Sequence, residues 1–330
     1  MKRPPRQGLR HAATLALGLT LAASATTSGY AADYRGPPDT RVVAPPKPRV
    51  PSLDLTIAAV PWGMAYNRSG LGANLRYQAP LIDRPGVLWE KTNITVGVRD
   101  AFGYVNNSLA AFAEVTPIGF FKLQVSAAYD NLFVAPFSGG TRVLTALGRT
   151  ELAEGNVARG RPGAVDWVDG KDNHAIFDPS IAGDGLRLKI QPTLQGKAGP
   201  VAAQYTFTAD FNIYRSGRYG CDDVFHDTFT FTLRKLCDHS FLHELLVVYE
   251  IPNIRDEVRL GVVGKYYRVA GTGLDNLNVS AVGFYRPRLA VFGERFSPWI
   301  TAQLGTNLRD PMYPYAFAWV LALGLDLKLL

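Results

Sequence analysis

The chain has 330 residues and a formal net charge of +7, with 47% hydrophobic residues, three Met and two Cys. Four of its bases, Lys2, Arg3, Arg6 and Arg10, precede residue 11 with no acid among them, leaving +3 of the +7 for everything that follows. Net charge therefore gives little support to a nucleic-acid partner, and no later stretch reaches the ~18 consecutive apolar residues that a membrane helix needs.

Those four bases open a secretory leader. An apolar stretch runs from Ala12 to Ala23, and small-residue cleavage sites follow at Ala23-Ser24-Ala25 or Gly29-Tyr30-Ala31. The pattern predicts a signal peptide over residues 1–31, too short for a membrane anchor. No Cys follows the apolar stretch, which argues against a lipoprotein anchor. Residues 32–51 are rich in Pro and Arg, with Pro37-Pro38 and Pro45-Pro46, and read as an extended periplasmic tail.

From residue 52 to 330 the chain repeats short segments in which apolar and polar residues alternate, the two-residue period of a strand. Twelve strands are predicted, over 53–66, 71–81, 92–104, 108–116, 120–132, 185–196, 201–215, 241–251, 257–269, 277–286, 297–308 and 315–330, with ten to fourteen as the bounds. Pro61 blurs the first of them. The connections after the fourth, sixth and eighth strands are tight, at Pro117-Ile118-Gly119, Lys197-Ala198-Gly199-Pro200 and Pro252-Asn253-Ile254-Arg255. Those after the fifth and seventh are long, covering 133–184 and 216–240. Short turns on one side and long loops on the other is how antiparallel membrane barrels are built.

The last strand is the most regular. From Tyr315, odd positions carry Phe317, Trp319, Leu321, Leu323, Leu325, Leu327 and Leu329, and even positions carry Ala316, Ala318, Val320, Ala322, Gly324, Asp326 and Lys328. One face is wholly apolar, aromatic first and then leucine, as for a strand passing from a membrane interface into lipid. This segment resembles the closing strand of Gram-negative outer-membrane β-barrels. Its Gly324-x-x-Leu327-x-Leu329 spacing is similar to the C-terminal assembly signal of that class, although the chain ends in Leu330 where the class usually ends in Phe or Trp. The resemblance implies an all-β, transmembrane, antiparallel up-and-down barrel in the bacterial outer membrane, with both termini periplasmic. Outer-membrane lipid and the barrel-assembly machinery would be its partners. A soluble β-sandwich also alternates, with its apolar face turned inward.

Charged side chains cannot face lipid, where one near the midplane costs roughly 2–4 kcal/mol. The polar faces of the strands must therefore line the interior. The inferred lumen bases include Arg76, Arg99, Lys122, Arg187, Lys189, Arg259 and Lys265, opposed by Asp54, Glu114, Asp130, Asp210, Glu244, Glu250, Glu257 and Asp326. Rings of Arg and Lys lower the energy of a passing anion, which points to a passive porin-like channel for small hydrophilic or anionic solutes. The alternative is that these charges pair across the lumen and close it, since twelve strands lie between solid eight-stranded barrels and open sixteen-stranded ones. A plugged barrel would leave a structural, surface-binding or export-machine role.

Residues 133–184 form a loop long enough to be functional, able to fold inward as a constriction or to stay outside. Its middle, 143–153, has apolar spacing too sparse to specify a helix. Cys221 and Cys237 share one polar segment and predict a disulfide in an oxidising compartment. A metal site with His226, Asp238 and His239 matches no zinc spacing, so neither metal nor cofactor is expected. For a barrel hydrolase the candidates are His174, His226, His239-Ser240 and His243-Glu244, but none lies in a nucleophile motif.

Overall fold

The computed structural model describes residues 49–63, 70–82, 88–89, 91–103, 106–132, 141–144, 177–181, 183–216, 220–222, 224–227, 232–288, 295–309 and 317–330. The expected leader and most of the expected tail lie outside them. Sixteen strands follow in chain order: β1 (Ser52–Gly63), β2 (Gly70–Pro80), β3 (Asn93–Gly103), β4 (Asn106–Ile118), β5 (Phe121–Leu132), β6 (Thr141–Leu144), β7 (Phe177–Ile181), β8 (Gly183–Ala198), β9 (Val201–Arg215), β10 (Val224–Asp227), β11 (Thr232–Lys235), β12 (Cys237–Glu250), β13 (Glu257–Val269), β14 (Asp275–Arg286), β15 (Phe296–Arg309) and β16 (Phe317–Lys328).

Twelve of these close into one antiparallel barrel, each bonded to its sequence neighbour among the twelve, with β16 returning to β1. The closing seam runs from Asp54 opposite Lys328 to Gly63 opposite Val320. This is the closed up-and-down architecture of outer-membrane β-barrels, and it leaves no open sheet edge. Pro61 does not end β1. It sits in a register shift between Ala59 and Trp62, the bulge position where a missing N–H is tolerated.

Side-chain parity assigns the two faces. Leu109, Leu186, Leu260, Val262, Leu304 and Leu323 are exposed on the outer surface, while Thr56, Thr208, Asp210, Asn278 and Gln303 are buried within. The apolar face points outward, the reverse of a sandwich, so the belt is built to meet lipid rather than a second sheet. On β16, Val320 and Ala322 are buried inside. Gly324 faces the Trp299 indole so closely that an added Cβ would lie 2.1 Å from the ring. Only glycine permits that crossing. Ala58, Val60, Trp299, Val320 and Ala322 pack into a small interior cluster on this side.

The end of the barrel that carries both termini has tight connections. Gly199 (φ 57°) turns β8 into β9, and Asn253 (φ 64°) lies between β12 and β13. Arg49, the first described residue, donates from Nη1 to the Ile82 carbonyl at 3.3 Å and to that of Trp89 at 3.4 Å. At the opposite end, the long connections hold the remaining four strands. These form a second sheet in the order β11-β10-β6-β7, so the β5–β8 and β9–β12 loops are joined through Phe225 and Val143. Nothing in the residue pattern marks this sheet, and it takes in the first two residues of the 143–153 segment as strand.

Candidate functional site

The inward faces of β5, β8, β9, β12 and β13 meet the second sheet at the loop end of the lumen. Asp130 of β5, Arg187 and Lys189 of β8, and Asp210 and Tyr214 of β9 come from the wall, and Asp227 of β10 and Arg234 of β11 come from the loop. Arg187 Nε lies 3.1 Å from Asp130 Oδ2 and 3.9 Å from Asp210 Oδ1, and its Nη2 donates to both Asp227 oxygens at 3.1 Å. Arg234 Nη1 reaches Asp227 at 3.2 Å and Asp210 at 3.5 Å. Tyr214 donates to Asp130 at 2.6 Å and accepts from Arg187 Nε at 3.0 Å.

Three bases therefore meet three carboxylates, counting Lys189, whose Nζ is 4.0 Å from Asp210. Arg187, Asp130, Asp227 and Arg234 are at most 3% exposed. Burial lowers the Arg234 guanidinium pKa, but the Tyr267 oxygen and the carboxylates of Asp210 and Asp227 outweigh it and raise the pKa above its ordinary value. Backbone contacts finish the dock. Asn212 Nδ2 donates to the Leu236 carbonyl at 2.8 Å and Thr272 Oγ1 to that of Leu233 at 3.2 Å. Asp238 accepts from the Lys235 and Gly271 amides at 2.9 and 2.7 Å, holding two loops to β12. Cys221 and Cys237 are bonded in a disulfide, which ties the base of the β10–β11 segment to the start of β12.

The remaining sequence-chosen bases also line the lumen, and most have a carboxylate at hand. Arg76 is 3.6 Å from Asp54, Lys122 3.9 Å from Glu114, Lys265 2.8 Å from Glu244 and Arg259 2.5 Å from Glu257. Arg99 sits over the Phe112 ring at 5.4 Å. The structure thus brings Arg187 and Lys189 into one cluster and spreads the other five around and along the wall. Asp227, Arg234 and Tyr267 were missed by the sequence reading. No signal marked them: Val224-Phe225-His226-Asp227 is two apolar residues followed by two polar ones, with no alternation to read.

Toward the termini end the lumen opens into a pocket of ≈ 970 Å³, counted with the solvent that enters it. It extends from the Glu244–Lys265 pair to the Lys197–Glu250 pair at 2.6 Å.

Strand alternation separates the histidine pairs. Ser240 is buried and bonds the Tyr267 hydroxyl at 2.6 Å, whereas His239 is exposed and stacks on Phe211 at 6.0 Å. His243 bonds the Tyr205 hydroxyl at 2.7 Å on the outer face, and Glu244 points inward to Lys265. His226 falls on β10, and His174 lies outside the described residues. Among the described residues, no three His, Cys, Asp or Glu side chains converge as a metal site.

No protein family model and no curated protein matches the chain. Solved structures with similar folds include the COG4313 outer membrane channel from Pseudomonas putida F1, at 11% identity over 89% of this chain and 100% of that one, TM-score 0.42. The beta domain of the Bordetella autotransporter BrkA is similar at 7% identity over 84% of this chain and 99% of that one, TM-score 0.40. KdgM porin is similar at 8% identity over 84% and 98%, TM-score 0.33.

Proposed function

We propose that the protein is an outer-membrane channel for small hydrophilic solutes, held closed at its outer mouth by the two-loop sheet. In this reading the loop end faces the exterior, the termini end faces the periplasm, and the C-terminal strand is presented to the barrel-assembly machinery. The observation that carries it is the polar inner wall, with a pocket open at one end and the Arg187–Asp227–Arg234 latch at the other. A lumen wall carrying polar side chains from most of its strands is what aqueous conduction requires, and a latch formed between loop and wall is a movable closure.

A preference for anions draws on Arg99 and on the remaining lumen bases. Because most of these stand beside carboxylates, the preference is expected to be slight. A second reading, a permanently plugged barrel serving at the cell surface or in an export machine, is favoured by the complete burial of Asp227 and Arg234. For hydrolysis, the opposed faces of His239 and Ser240 keep that histidine from serving as base to that hydroxyl.

Osmotic swelling of liposomes containing the refolded protein separates these readings. Swelling in a pentose but not in a tetrasaccharide supports a narrow hydrophilic conduit. No swelling in any sugar by either the wild type or Asp227→Asn, with the barrel folded, sinks it in favour of the plug.

A further inference from the structure

The pocket at the termini end is not polar all round. Leu246 and Val248 of β12, Val263 of β13, and Val282 and Phe284 of β14 give it one apolar wall, formed from inward positions that in β8 and β9 carry glutamine and threonine. Apolar surface held in water is unfavourable, and a strand accepts Thr in place of Val without loss of shape, so a purely aqueous conduit gains nothing from this wall. The wall is also backed. Phe284 stacks on buried Trp299 at 6.4 Å between ring centroids, and Trp299 lies across Gly324. Beside the wall stand Gln204, in register with Leu246, and Gln195, one strand further on. The charges at the margins are matched, Lys265 by Glu244, Lys197 by Glu250, and Arg259, which lies 5.7 Å from the centre of the Phe284 ring, by Glu257, so the pocket carries little field that would select an ion.

Resting on the conduit reading above, we propose that this pocket is a binding site for small uncharged amphipathic solutes. The apolar body, of the size of one aromatic or branched aliphatic ring, lies on Val248, Val282 and Phe284, and a hydroxyl or amide end faces the two glutamines. The pocket's two-sided lining orients such a ligand.

The test is saturable binding of 4-fluorobenzyl alcohol to the full chain in lipid nanodiscs, read from fluorine NMR line broadening. Empty discs give the unsaturable lipid background. The wild type is expected to show a saturable component that benzoate and benzylamine displace at least tenfold less well than benzyl alcohol. The near-isosteric pair Val248→Thr and Val282→Thr, confirmed as folded by its unheated gel mobility, should weaken binding about tenfold or more. The absence of a saturable component, an undiminished one in the double variant, or better displacement by benzoate would overturn the proposal. The wild-type competition series decides the matter even if the variant fails to fold. Binding does not need current or swelling, so binding to a non-conducting barrel would sink only the conduit, and swelling without binding only this inference.

Discussion

Asp227 takes a hydrogen bond from Arg187 Nη2 on each of its carboxylate oxygens, both at 3.1 Å, across the boundary between a loop strand and the barrel wall. Neither residue is reachable by solvent to any useful extent. The pair makes the position of the β10–β11 segment a matter of electrostatics rather than of chain connectivity.

Removing one member of a buried ion pair commonly costs about 3–5 kcal/mol, because the other charge stays desolvated. In Asp227→Asn, Arg187 keeps Asp130 and Asp210, so the loss falls on the loop and not on the wall. Amide exchange over residues 224–227 and 232–236 is expected to accelerate at least roughly tenfold, the equivalent of 1.4 kcal/mol, with β8 and β9 unchanged. Equal acceleration throughout the barrel would show that the pair holds the fold and not the loop.

The Cys221–Cys237 bond closes a segment with a sequence separation of 16, for which chain entropy gives about 3 kcal/mol. The double substitution Cys221→Ser with Cys237→Ser should make the β10–β11 segment a site of limited proteolysis while the unheated gel mobility of the barrel stays the same. Loss of that mobility would mean that the bond supports the barrel itself.

Much of this was legible in residues and some was not. The parity of 315–330 placed Leu323 outside and Ala322 inside because aromatics, leucines and small residues never exchange faces there. β12 was expected from 241 and begins at Cys237, because Cys237-Asp238-His239-Ser240 is polar on both faces and alternation has nothing to read. The second sheet escaped for a related reason: it touches no lipid, so its strands show no apolar face, and its decisive contacts join residues 40 apart, as Arg187 and Asp227 are. The split of His239 from Ser240, by contrast, follows from strand parity once that segment is known to be a strand.

Membrane orientation of the faces can be measured by a pair of arginine substitutions. Leu323→Arg, on the outer belt near the middle of β16, is expected to lower folding stability in vesicles by about 2–4 kcal/mol. Gln124→Arg, on the lumen side of β5, is expected to cost far less. Urea titration in lipid vesicles gives both, and equal costs would contradict the register.

Asp256 links two turns at the termini end, accepting from the Arg288 amide at 3.0 Å and the Tyr285 hydroxyl at 2.9 Å. These bonds, the Arg288 amide first, lower its pKa in the folded state. A carboxylate depressed on folding adds stability above its unfolded value of about 3.9, and that contribution is lost as pH falls through the folded value. The carboxyl resonance of Asp256 should therefore titrate below about 3.9. A midpoint at or above it would mean that the turn contacts do not persist in solution.

Planar-bilayer conductance of the wild type beside Asp227→Asn tests the latched-channel account most directly. The account predicts low or intermittent conductance in the wild type and steady, several-fold higher conductance in the variant, with a reversal potential only slightly on the anion side in a salt gradient. A variant as silent as the wild type, in a bilayer where insertion is verified, would contradict it.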